Sequence, residues 1–230
     1  EAPAAASATP SRSDLPVRMA SAVIMLAVAS AAVWQGGAVL KTFIAVVALI
    51  CFAEFVRLVV KATLNLFFRL AAILAGAVYI GLAAQGLAGM DTYHLVAALG
   101  VVIFTDTCAY FTGRALGGPK IAPRISPSKT WSGLAGGMLA AAILASAVGS
   151  HFEAFAIWQP LVGAGLAVVA QAGDFFESWM KRRAGVKDSG SLIPGHGGLL
   201  DRADGLLAVL FAVAILLAVV HFDAGVWRLS

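Results

Sequence analysis

Charge is what this chain has least of. Of its 230 residues, 16 are Lys or Arg and 12 are Asp or Glu, so charged residues make up 12%, about half the share usual in a soluble domain. With 60% hydrophobic residues and a mean hydropathy of +0.91, that scarcity excludes an ordinary aqueous globule. Cysteine is nearly absent as well. Cys51 and Cys108 are the only two, and both lie in apolar stretches, which excludes a disulfide framework and a cysteine metal site. A net charge of +4 could suggest a polyanion partner, and the placement of the charges decides that question.

What is present is a series of apolar runs, each near the roughly 20 residues that a helix needs to cross a bilayer. They cover residues 17–34, 38–56, 70–88, 93–112, 133–150, 157–179 and 205–221. The sequence therefore predicts an all-α, polytopic membrane protein of about seven transmembrane helices. Residues 1–16, rich in Ala, Ser and Pro, read as a disordered tail, and 17–230 as one transmembrane domain with its chemistry in about 93–221.

The basic residues sort by side. Arg12, Arg18, Arg57, Lys61, Arg69, Arg114, Lys120, Arg124, Lys129, Lys181, Arg182, Arg183, Lys187 and Arg202 fall on one side of the seven spans, with only Lys41 and Arg228 on the other. Basic loops stay in the cytoplasm, so the N-terminus is expected to be cytoplasmic. The two long loops, 113–132 and 180–204, face the same way. The basicity is topological, and no nucleic-acid partner is expected.

An ionised side chain within a span costs a few kcal/mol on insertion scales, so each calls for a partner or a function. Asp106 lies eight residues before Arg114, about 12 Å below the cytoplasmic end of its span. Asp174 lies seven residues before Lys181, roughly 10 Å deep. Asp174, Ser178 and Lys181 are spaced i, i+4, i+7 and share one helix face with Glu177 beside them. That face is expected to line a polar cavity open to the cytoplasm, although a structural pairing with neighbouring helices would also satisfy both aspartates. Glu54, three residues from Arg57, reads as half of an intrahelical pair.

The segment after the sixth span combines the cations Lys181, Arg182, Lys187 and Arg202 with Gly195, Gly197 and Gly198. Glycines of this kind let backbone approach a phosphate closely. Asp201 and Asp204, three apart at the start of the last span, are of the type that holds a hard cation such as Mg²⁺ together with substrate phosphate oxygens. Cations, glycines and paired carboxylates at a membrane surface suggest phosphoryl or nucleotidyl transfer to a lipid.

The order Asp174-x-x-x-Ser178-x-x-Lys181-Arg182, Lys187-Asp188-x-Gly190, and Ile193-Pro194-Gly195-His196-Gly197-Gly198-x-x-Asp201-Arg202-x-Asp204 resembles the hallmark of phosphatidate cytidylyltransferases, also called CDP-diacylglycerol synthases. A second stretch, Asp106-Thr-Cys-Ala-Tyr110-Phe-x-Gly113-Arg114 with Lys120 and Ser126-Pro127-x-Lys129-Thr130-Trp131, is similar to that family's earlier cytoplasmic loop. The likeness extends from Phe68 to Val220. Cys108, Ser132 and Ala203 depart from the usual family residues, and the family commonly has eight or nine spans.

The resemblance implies an enzyme that transfers CMP from CTP to phosphatidate, releasing pyrophosphate. It further implies Mg²⁺, with K⁺ alongside it, held by Asp174, Asp201 and Asp204. Asp174, Ser178, Lys181 and Asp201 would be catalytic. Ser126, Lys129, Arg182, Lys187, Asp188, His196, Arg202 and Asp106 would bind substrate. A homodimer in a bacterial inner membrane, with its active site facing the cytoplasm, completes the expectation. A CTP-dependent kinase or transferase of another lipid and a small cation- or proton-coupled transporter are the alternatives; the featureless opposite face disfavours transport.

Overall fold

The structure is a computed structural model, and it describes residues 14–149, 158–193 and 197–223. Among these, seven helices follow in order: α1 (Asp14–Gln35), α2 (Gly37–Ala62), α3 (Leu66–Gly89), α4 (Thr92–Leu116), α5 (Trp131–Gly149), α6 (Gln159–Arg183) and α7 (Leu200–Asp223). Each expected span has its helix. Helix α2 continues to Ala62 and α7 begins at Leu200, beyond the apolar windows, because the hydrogen-bonded helix outlasts the lipid-facing stretch. Of the expected tail, residues 1–13 lie outside the described residues, and α1 begins at Asp14.

One element was not expected. The loop between α4 and α5 is a two-stranded antiparallel ribbon, β1 (Lys120–Ala122) and β2 (Ser126–Thr130), with Lys120 opposite Thr130 and Ala122 opposite Ser126. It carries no apolar alternation, since its residues are Lys-Ile-Ala and Ser-Pro-Ser-Lys-Thr, and so it left no strand signal.

Local signals set the helix ends. Asn65 accepts from Phe67 N–H at 3.0 Å and Phe68 N–H at 3.3 Å, and Asp91 accepts from His94 N–H at 3.0 Å. Both satisfy first-turn donors that have no intrahelical partner. Gly117, with φ 63°, ends α4 in a conformation that favours glycine.

Helices α1 to α5 are long and apolar enough to cross a membrane. Their outward faces are apolar and bare: Val23, Leu26, Leu74 and Leu139 are each about two-thirds exposed. Apolar surface on that scale calls for lipid, and the chain is an integral membrane protein. Inside, Cys51, Phe55 and Leu58 of α2 pack with Ile80 and Ala83 of α3, Met180 of α6, and Leu200, Leu207 and Leu210 of α7. A second cluster joins Val101 of α4, Ala141 of α5 and Ala167 of α6.

Small residues let the helices that carry charge approach one another closely. A Cβ on Gly173 would stand 2.6 Å from Ala208 Cβ and 2.7 Å from the Asp204 carbonyl oxygen, and one on Gly205 would stand 3.2 Å from Asp174 Oδ1. Helices α6 and α7 therefore cross where Asp174 and Asp204 sit. A Cβ on Gly133 would lie 2.8 Å from the Ala109 carbonyl oxygen, which brings α5 onto α4 beneath the ribbon.

Candidate functional site

Three elements enclose a cavity of about 440 Å³: the C-terminal half of α4, the ribbon with the first turn of α5, and the middle of α6. Its polar lining is Asp106, Tyr110, Arg114, Lys120, Ser128, Lys129, Thr130, Gln171 and Asp174. Lys129 at the end of β2 forms an ion pair with Asp174 of α6, and its ammonium lies 5.1 Å from the centre of the Phe175 ring. Gln171 donates from Nε2 to Asp106 Oδ1 at 3.3 Å. The two aspartates expected at similar depth thus face one cavity. Gln171, 6% exposed, is a member that sequence reasoning passed over; an amide one turn before Asp174 was the available signal.

Arg114 and Lys120 form no ion pair among the described residues. Three cations therefore converge on this space with two carboxylates, one of them already engaged. Such a site suits a small anionic ligand, and the volume is within the roughly 300 to 1,000 Å³ of small-molecule clefts.

Residues 184–193 and 197–199 are organised by carboxylates. Asp201 accepts from Lys181 Nζ at 2.8 Å, from Ser189 N–H at 2.9 Å and from Gly198 N–H at 2.8 Å. Lys181 also donates to Glu177 at 2.8 Å, one turn back on α6. Glu54 reaches the same segment from α2, 3% exposed. It accepts from Ser189 Oγ at 3.0 Å, Leu199 N–H at 3.2 Å and Leu200 N–H at 2.8 Å.

The expected Glu54–Arg57 pair is absent from the described ion pairs. The unfilled donors at the start of α7 are better partners for a buried carboxylate than a guanidinium directed at water. The glycines, too, serve the protein's own acids. A Cβ on Gly198 would stand 2.1 Å from Ser189 Oγ and 2.5 Å from Glu54 Oε2, and Gly197, at φ 84°, would meet Asp201 Oδ2 at 2.9 Å.

Of the residues singled out in the sequence, Asp106, Lys129 and Asp174 line the cavity, whereas Ser126, Ser178, Lys181, Arg182, Lys187, Asp188, Asp201, Arg202 and Asp204 do not. Ser126 pairs with Ala122 in the ribbon. Asp188 lines a separate pocket with Arg57 and Lys61. His196 lies outside the described residues, as does Gly195.

For a metal, the relevant feature is the α6–α7 crossing, where Gly173 and Gly205 let the helix positions of Asp174 and Asp204 come close together. Two neighbouring aspartates, one of them lining the cavity, fit Mg²⁺, which takes one or two carboxylates from protein and leaves its other positions to water and phosphate. Asp201 is already occupied by an ammonium and two amides. Among the described residues, no three of His, Cys, Asp and Glu are gathered as a ligand set.

Fold and site together define a polytopic membrane protein with a cationic cavity at the mouth of its helices. The chain belongs to the cytidylyltransferase family, whose pattern it matches over residues 65–220. It is 50% identical over 143 residues to a phosphatidate cytidylyltransferase of Brucella suis, covering 58% of this chain and 52% of that one. It is 40% identical over 154 residues to the phosphatidate cytidylyltransferase of Bacillus subtilis, covering 62% and 56%. With that of Haemophilus influenzae the identity is 42% over 135 residues, covering 52% and 45%. The chain spans about half the length of the curated relatives it matches.

Proposed function

We propose that the chain transfers CMP from CTP to phosphatidate, forming CDP-diacylglycerol and pyrophosphate. The observation that carries this reading is the convergence of Arg114, Lys120 and Lys129 on one cavity beside Asp174, in a chain of the cytidylyltransferase family. An oxygen of the lipid phosphate attacks the α-phosphorus of CTP. The bond from that phosphorus to the bridging oxygen breaks, and pyrophosphate leaves.

The nucleophile is already an anion, so no strong base is needed. The task is to hold two mutually repelling anions in line, and positioning with charge compensation supplies the acceleration. Arg114, Lys120 and Lys129 hold the CTP phosphates, and Asp106 with Gln171 contacts the nucleoside. Lys181 and Asp201 hold the segment after α6, Ser178, Arg182, Lys187 and Arg202 bind phosphatidate with Asp188 orienting Lys187, and His196 is assigned to a phosphate from its place in the sequence motif alone. Asp174 and Asp204 would hold Mg²⁺, with K⁺ alongside, supplying charge neutralisation at the α-phosphorus and for the departing pyrophosphate.

The same reading places seven spans across a bacterial inner membrane, the N-terminus and the cavity facing the cytoplasm, in a homodimer. Fourteen basic residues on one side against two on the other support that orientation. Purified protein in detergent with phosphatidate and CTP tests the reaction. Label on the α-phosphorus should enter lipid and label on the γ-phosphorus should leave as pyrophosphate; γ-label in lipid would instead mean a kinase and overturn the proposal.

A further inference from the structure

Beyond the cavity lies a second polar pocket, of about 240 Å³, between the cytoplasmic end of α2 and the segment after α6. It is lined by Arg57, Leu58 and Lys61 of α2 and by Asp188, Ser189, Gly190 and Ser191 of the segment, with Val186 at its edge. Arg57 and Lys61 are four residues apart and share a helix face. Neither they nor Asp188 form an ion pair among the described residues. Opposite charges that line one small pocket without closing on each other leave room for a group between them.

The wall opposite the cations is fixed. Ser189 turns its amide to Asp201 and its hydroxyl to Glu54, so the pocket keeps its shape without a ligand. Exposed Ser191 adds a hydroxyl donor. Two cations against one carboxylate leave a single positive charge. A guanidinium and an ammonium together recognise phosphate through charge-assisted hydrogen bonds, and one net charge matches the single negative charge of a phosphodiester. Asp188 would then accept from a hydroxyl on the same headgroup.

We infer that Arg57, Lys61 and Ser191 form a binding site for the phosphodiester of an anionic phospholipid headgroup, separate from the CTP cavity. The pocket belongs to the basic end of α2, the kind of position at which anionic lipid is drawn to Lys and Arg. Occupancy would reach the segment through Ser189, whose hydroxyl bonds to Glu54 one turn before Arg57.

The test measures lipid retention without CTP, so it is independent of the transferase reading. Purified protein is taken from nanodiscs of phosphatidylcholine containing a minority of phosphatidylglycerol, and retained lipids are counted by native mass spectrometry. The wild type should retain phosphatidylglycerol in preference to phosphatidylcholine, and the R57Q/K61Q double variant should bind it at least about tenfold more weakly, through loss of charge-assisted hydrogen bonds. D188N, which removes the opposing charge, should retain more. R124Q, a basic residue of the ribbon outside the pocket, should behave as wild type.

Competition by inorganic phosphate alone, with no lipid preference, would assign the same chemistry to a free phosphate and overturn the lipid as its source. Equal losses in R124Q and R57Q/K61Q would reduce the effect to general surface attraction and overturn the site. So would unchanged retention in a folded R57Q/K61Q.

Discussion

Glu54 offers the sharpest test of how the segment after α6 is held. It is separated in sequence by 135 to 146 residues from the three donors that it satisfies. Replacing Glu54 by alanine strands Ser189 Oγ, Leu199 N–H and Leu200 N–H together. Each stranded donor costs about 1 to 3 kcal/mol; water entering from the adjacent polar pocket recovers part of this, so a total of about 4 kcal/mol is expected. Glutamine keeps the volume and one acceptor oxygen but loses the charge, costing about 2 kcal/mol.

The effect is local because Glu54 anchors a segment and a helix start, with the apolar core of α2, α3 and α7 intact beside it. Hydrogen exchange at the amides of Leu199 and Leu200 is the assay. Exchange should accelerate roughly thirtyfold in E54Q and by about a thousandfold in E54A if local opening governs it, with α3 amides unchanged. Arg57→Gln should leave these amides protected. Wild-type exchange at Leu199 and Leu200 in E54A would refute the anchoring role, as would equal acceleration in R57Q.

Three further outcomes follow from the site. Mn²⁺, followed by electron paramagnetic resonance as a stand-in for Mg²⁺, should bind at least about tenfold more weakly in D174N and D204N, while D201N keeps its affinity but loses exchange protection at Ser189 and Gly198. A double-mutant cycle of K129M and D174N, read by thermal unfolding in detergent, should give a coupling of about 1 kcal/mol or more, because this pair ties the ribbon to α6; additivity would mean that the pair does not couple them. G173A, whose new methyl would stand 2.6 Å from Ala208 Cβ, should cost about 1 to 3 kcal/mol of stability, with Asp174 and Asp204 separated and transferase activity reduced.

The helices were legible because lipid leaves one solution for backbone, a helix that satisfies its own hydrogen bonds, and each run therefore has a recognisable length. Asp106 and Asp174 were legible for the same reason, as polar groups placed where they are expensive. The ribbon at 120–130 was not, since its pairing is set by backbone and by the close approach of Gly113 and Gly133, neither of which has a periodicity to read. Glu54 was misread through proximity. Arg57 is its neighbour in sequence, but at a helix end in contact with water a guanidinium gains little from pairing, while three fixed donors arriving from the far end of the chain gain much. The glycines of 197–198 carried the right inference about close approach with the wrong occupant, because sequence alone does not reveal that Glu54 and Asp201 fill the space.

Charge counting around the cavity links this arrangement to the proposed chemistry. Arg114, Lys120 and Lys129 face Asp106 and Asp174, which leaves one positive charge for a nucleotide carrying several negative ones and a lipid phosphate carrying more. That deficit is too large for the cavity's own side chains. Lys181 cannot make it up by simple attraction, because Glu177 and Asp201 already hold it between them. If the chain uses CTP as proposed, the compensation would come with the nucleotide, and Asp174 and Asp204, close together across the α6–α7 crossing, would hold its divalent cation. On the proposed reading, the ion pair between Lys129 and Asp174 aligns both partners at the cavity, the ammonium for a phosphate and the carboxylate for the cation it would hold.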